Sequence, residues 1–257
     1  MSLSDKQFID EFDRLLTKYE MKYVKKVKKE IKRALKQVES TLIKDANFAF
    51  DGTLQTEHAI QLKLFQDEAS KEALGVFITL QANQWAFEPP VRTVDNIIGS
   101  YTNRYTLELS NLKANTTFKM VKDRISKELI DGTITPQFIS KKIREVINLT
   151  PARSLMIART EIHNAGTYAQ HETAQDFQDT YNIDLYKVWS AVKDKRTRPD
   201  HRVMGSHPPV KMNEFFNVGG SLMLRPGDPA GGAKQTVNCR CTLLYKTKDE
   251  LKGILNF

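Results

Sequence analysis

The chain has 257 residues, 40% of them hydrophobic, with a mean hydropathy of -0.47, so it can bury a sizeable core as one large or two smaller domains and is too apolar for a disordered segment. No run approaches the roughly twenty apolar residues of a membrane span, and residues 1–12 lack the apolar centre of a signal peptide, so synthesis in the cytoplasm is expected and no membrane partner. A net charge of +8 and a pI near 9.3 favour an acidic partner, either nucleic acid or a negatively charged protein surface, and two cysteines exclude a disulfide-rich scaffold.

Residues 5–46 read as one long helix or two joined ones, because Phe8, Phe12, Leu15, Tyr19, Tyr23, Val27, Ile31, Leu35, Val38 and Leu42 recur at steps of three or four. Between residues 21 and 36 eight cations, Lys22, Lys25, Lys26, Lys28, Lys29, Lys32, Arg33 and Lys36, stand against one carboxylate, Glu30. They are candidates for binding nucleic acid or another acidic partner; the alternative is a strip of long side chains that only keeps the helix flank soluble. A stripe of this kind needs a partner helix, in a bundle or as an arm laid on another chain.

The stretch 57–87 is helix-compatible and is ended by Glu88-Pro89-Pro90, since proline lacks the donor and restricts the residue before it. Residues 94–130 are helical again, followed by a turn over 131–135 with Thr135 as N-cap and Pro136 as first helical residue. Thr150 and Pro151 open a further helix over about 151–178. Beyond Tyr181 the composition changes: residues 184–192 have strand character, Gly and Pro dominate up to Gly232, and Val237–Leu244 alternates as a strand with one buried face. The expected division is a helical region over 1–150 and a smaller domain over 151–257; no internal repeat is present.

Three constellations could carry chemistry. In the helix from 151, Leu155, Ala158, Ile162, Ala165 and Ala169 form a small-residue stripe that reads as core, while Thr160, His163, Thr167, Gln170 and His171 on the other side read as a solvated polar face. The run Asp194–His201 packs cations, carboxylates and an imidazole into eight residues: Arg196 and Arg198 could grip a phosphate, or Asp194 and Asp200 could pair with arginines to organise a turn. Last, Cys239 and Cys241 on one strand face could join His201, and His207 or His163, around zinc. Their one-residue gap is unlike a Cys-x-x-Cys knuckle, and the alternation through Leu243 and Tyr245 equally describes two thiols in a core. A disulfide between them is poorly placed on a regular strand. Pro226-Gly227 suits a type II turn, Gly219-Gly220 and Gly231-Gly232 read as hinges, and no phosphate-loop pattern occurs.

Taken in order, Ala158-Arg159-Thr160-Glu161, Trp189, Asp194-x-Arg196-Thr197-Arg198-x-x-His201, Gly205, Phe215, Pro226-Gly227-Asp228-Pro229 and Asn238-Cys239-Arg240-Cys241 resemble the C-terminal region of phage Mu protein F-like head-morphogenesis proteins, over about residues 130–245. The resemblance implies a minor structural protein of a tailed-bacteriophage head, in the virion at the portal vertex or head interior and not an enzyme. Its implied partners are the portal protein, the major capsid or scaffold protein and, in some members, double-stranded DNA. It supplies no catalytic residues and no required cofactor; the Cys/His group could take zinc. The fold class expected is α+β, a mainly helical N-terminal region followed by a small domain with a short antiparallel sheet and long loops. A metal-dependent hydrolase or nuclease centred on His201, Cys239 and Cys241, with Glu161 or Asp200 as base, is the competing reading.

Overall fold

A computed structural model describes the backbone of residues 3–44, 52–130 and 136–252, with side chains throughout except at 106–109, 112, 122, 124–130 and 136–139. The first part is built of helices: α1 (Asp5–Lys44), α2 (Thr53–Asn83), α3 (Val91–Ile130) and α4 (Pro136–Asn148), followed by α5 (Thr150–Tyr181). All ten apolar residues that set the period of α1 are buried, from Phe8 to Leu42, as a stripe at helical spacing demands. Between α2 and α3 the chain turns at Ala86, which has a φ of 51°, and Pro89 and Pro90 keep the two helices apart. Pro136 is the first residue of α4 as expected; the turn over 131–135, with the N-cap assigned to Thr135, lies outside the described residues.

Among the described residues the strands all lie in the second half. β1 (Leu185–Ser190) leads into α6 (Pro199–Met204), then β2 (Val210–Lys211), β3 (Phe216–Val218) and β4 (Ser221–Met223). A 3-10 turn over Pro229–Gly231 precedes α7 (Gly232–Thr236), β5 (Thr242–Thr247) and α8 (Lys248–Lys252). The sheet order is β2-β1-β5, antiparallel, with Trp189 opposite Leu243 and Ser190 opposite Thr242, and β3 and β4 make a separate hairpin. The molecule is α+β as the composition shift at Tyr181 predicts.

Two details differ from expectation. The final strand begins at Thr242 instead of Val237, because Asn238 takes a left-handed φ of 55°, which no strand residue adopts. The Gly219-Gly220 pair is a hairpin turn and not a hinge: φ values of 57° and 90° at its two central residues suit the tight connection of β3 to β4.

Contacts divide the chain into two compact units that interleave in sequence: Met1–Tyr19, Ser70–Tyr101 and Arg159–Phe257 form the first, Glu20–Ala69 and Thr102–Ala158 the second. The second unit is helical among its described residues, with Val27, Ile31, Leu35, Leu62, Phe118, Val121, Ile143 and Ile157 buried. Inside it Glu30 is also buried, and accepts bonds from Arg33 at 2.8 and 2.9 Å and lies 3.0 Å from His58 Nδ1. Burial pushes the Glu30 carboxyl up, but these partners outweigh it and hold it below the ordinary value. The first unit has its core under the sheet, where Leu185, Trp189, Phe216, Met223, Cys239, Cys241, Leu243 and Tyr245 pack together. Trp85 stacks on Phe177 at 4.5 Å within the same unit.

Candidate functional site

Because β1 and β5 are antiparallel, the loop leaving β1 and the turn entering β5 meet at one end of the sheet. This meeting gathers the conspicuous residues of the sequence. From the first loop, α6 begins at Pro199, whose fixed φ suits a first helical position, and carries His201 inward. From the second, residues 238–241 bring Cys239 and Cys241 to it: their Sγ atoms lie 3.6 and 3.4 Å from His201 Nδ1. The three ligand-type atoms lie within 4.8 Å of one another, and all three residues are at most 4% exposed. Neither His207 nor His163 joins them. His207 Nδ1 lies 2.7 Å from the Pro208 carbonyl, and His163 acts on the Cys241 backbone instead.

The convergence expected of a strand is therefore reached by a turn, and three residues of Asn238-Cys239-Arg240-Cys241 have anchors of their own. The Asn238 N–H donates to Thr160 Oγ1 on α5 at 3.2 Å, which holds the left-handed turn. The Arg240 guanidinium donates two bonds of 2.8 Å to the Asp194 carboxylate. The Cys241 carbonyl accepts from His163 Nε2 at 2.7 Å. The thiols then have only the interior left. The hydrogen bond from Cys239 holds the Cys241 thiol below its ordinary range, with His201 adding to it against burial, and the same bond together with burial raises Cys239.

Asp194 also orders its own loop, accepting from the backbone N–H groups of Arg196 at 2.9 Å and Thr197 at 3.1 Å. Its bonds to Arg240 come first in holding its carboxyl well below the usual carboxylate range. Of the two arginines proposed to grip phosphate, Arg198 donates to the Val237 carbonyl, whereas Arg196 is exposed and lies 3.5 Å from Asp194. A groove of about 490 Å³ beside them is lined by Ala191–Lys195, Arg202, Gly205 and Ser206, and by neither cysteine.

The polar side of α5 is a correction to the sequence reading. His163, Thr167, Gln170 and His171 are buried and not solvated, because the loop and strand on the C-terminal side close over them. Arg225, itself 3% exposed, donates to the side-chain oxygens of Asn164 at 2.7 Å and Thr167 at 2.9 Å; Thr167 in turn donates to the Pro226 carbonyl at 2.8 Å, and Thr242 to Gln170 at 2.9 Å. Gly227, with a φ of 75°, passes so close to His163 that a Cβ there would stand 2.8 Å from Nδ1. Burial pushes His163 down to about 4 and His171 to about 3, with Arg225 adding to both. Two further residues carry signals that periodicity did not flag. Lys187 falls on the buried face of β1 between Leu185 and Trp189, and its Nζ donates to the carbonyls of Glu214 at 2.7 Å and Leu224 at 3.0 Å. Gln235 bridges His201 to Asp200, and nothing in its neighbours in sequence announces that role.

The basic helix is sorted by its surroundings in the second unit. Arg33 is engaged by Glu30 and by Glu57 at 2.9 Å, and Lys26 pairs with Glu68. Lys28 is half-buried, and Lys22 is exposed beside the field of Glu68. Lys25, Lys29, Lys32 and Lys36 are exposed, carry no ion pair among the described residues, and by their steps of four, three and four lie in one line.

Among the described residues no helix is long and apolar enough to cross a membrane. Residues 119–244 match the family profile described as phage Mu protein F like protein. The chain is also 28% identical over 164 residues, 63% of its length, to a protein of Bacillus phage SPP1 named minor head protein GP7. That alignment covers 51% of the relative, so the chain spans about half the length of the protein it matches. No solved structure matches it. Residues that carry the resemblance, Thr160, Asp194, His201, Arg240 and Cys241 among them, interlock around the end of the sheet, within the stretch 119–244 that is similar to phage Mu protein F like proteins.

Proposed function

We propose that this chain is a minor structural protein of a tailed-bacteriophage head that acts in head assembly. The observation that carries the reading is the family match over 119–244 together with the similarity to a minor head protein. In this reading it resides in the virion, at the portal vertex or in the head interior, and bridges the portal protein, the major capsid or scaffold protein and packaged double-stranded DNA. The line Lys25, Lys29, Lys32 and Lys36 supports the last contact: eleven residues at about 1.5 Å each spread four cations over roughly 16 Å of exposed helix. Replacing these four with Glu in the phage leaves the buried face of α1 untouched. Heads that then lose the protein or package less DNA bear the reading out; unchanged incorporation and unchanged DNA content remove the lysine line from it.

The hydrolase or nuclease reading is not favoured. His201, Cys239 and Cys241 are shut away from solvent, and Asp200, the proposed base, is turned to the Gln235 amide at 3.0 Å. Glu161, the other candidate, is itself buried.

A further inference from the structure

We propose that His201, Cys239 and Cys241 are the protein ligands of a structural zinc ion that ties the start of β5 to α6. Three features of the cluster support it independently of any role in a phage head.

The first is spacing. Bonds of about 2.3 Å to sulfur and about 2.0 Å to nitrogen, set at tetrahedral angles, place a sulfur and a nitrogen ligand roughly 3.5 Å apart. The two sulfurs stand 3.6 and 3.4 Å from Nδ1. Both sulfur–nitrogen spacings therefore already match those of ligands sharing one ion, and the three atoms lie within 4.8 Å of one another.

The second is the imidazole's orientation. Gln235 Nε2 donates to Asp200 Oδ2 at 3.0 Å and to the Val218 carbonyl at 3.2 Å, so the amide oxygen is the atom turned to His201. Its acceptor at 3.1 Å fixes the proton on His201 Nε2 and leaves Nδ1 as a bare lone pair aimed at both sulfurs. A partner that holds the far nitrogen of a ligating histidine is what a metal centre requires, and it is Asp200 that holds the partner. Without an ion, one lone pair faces two thiols and can accept from only one of them.

The third is charge. Two thiolates, a neutral imidazole and a divalent ion sum to zero, so a neutral centre is buried, whereas both thiolates without an ion would put two negative charges side by side in that interior. The trio fills three of the four positions zinc takes.

The test uses the full chain purified under reducing conditions. Metal analysis should find one zinc per chain, and cobalt(II) added to the zinc-stripped protein should give the intense near-ultraviolet absorption of thiolate-to-cobalt charge transfer, abolished by one equivalent of zinc. Cys239→Ser/Cys241→Ser should lose the band, and His201→Asn should weaken binding. Gln235→Leu leaves all three ligands in place and, as a positioning change, should weaken zinc binding by about 10- to 100-fold. Since the wild-type spectrum needs no variant to fold, it decides the matter alone: a wild-type chain with no zinc and no charge-transfer band overturns the proposal. A band that survives in the double serine variant overturns it too.

Discussion

His171 makes the stability of this fold depend on pH in a way that can be worked out beforehand. Burial, with Lys187 and Arg225 nearby, holds its folded pKa at about 3 against an ordinary 6.5. The unfolded chain therefore binds a proton between those values that the folded protein does not. The contribution is fully present above pH 6.5 and is lost as pH falls, levelling off only below 3. Relative to pH 8, the loss from this residue is about 2 kcal/mol at pH 5 and about 3 kcal/mol at pH 4. Urea unfolding of wild type and His171→Gln at pH 8, 5 and 4 measures it, and the comparison cancels every other group that titrates in the same range. The wild type should lose about 2 kcal/mol more than the variant between pH 8 and 5. Parallel pH profiles for the two proteins would refute the reasoning, because they would mean that His171 charges in the folded state without penalty.

Two further outcomes follow from particular positions. Gly220→Ala should cost about 1 kcal/mol, the penalty of a Cβ at positive φ with nothing within 4 Å to meet it, whereas Gly219→Ala should cost about 2–3 kcal/mol because its Cβ would collide with the Asp200 carboxylate; equal unfolding midpoints for the two variants would contradict the placement of Asp200. If the four aligned lysines each neutralise one phosphate, duplex binding in vitro should show a log–log salt slope of about -3.6 from them, roughly 150-fold between 50 and 200 mM salt. The quadruple Glu variant should lose that part of the slope, and an unchanged slope would show that the lysines do not touch DNA.

What could be read from the sequence was what depends on local order. The period of α1 named ten buried residues correctly because a helix of that length has one face to hide, and nothing distant alters which face it is. The short antiparallel sheet was expected from strand composition alone, whereas the pairing of Trp189 with Leu243 that brings residues 194–201 and 238–241 to one end of it is a tertiary result. The cysteines' common direction was legible, but the backbone that produces it was not: alternation is the same for a strand and for a left-handed turn at Asn238 followed by an extended run. The polar side of α5 was misread because burial there is decided by Arg225, Pro226 and Thr242, far downstream, at separations of 58 from Thr167 to Arg225 and 72 from Gln170 to Thr242. Gln235 was invisible for the same reason, since its three partners come from α6, β3 and no neighbour in sequence. A polar residue at helical spacing says which face it occupies, and only the tertiary fold says whether that face meets water.

The central claim, that this chain is built into a phage head, is tested most directly by quantitative mass spectrometry of purified heads from the phage that encodes it. The account predicts the protein in every preparation of purified heads, retained through density-gradient purification and lost in proportion when head assembly is blocked. Its absence from purified heads, with the protein recovered only from the soluble lysate, would contradict the account.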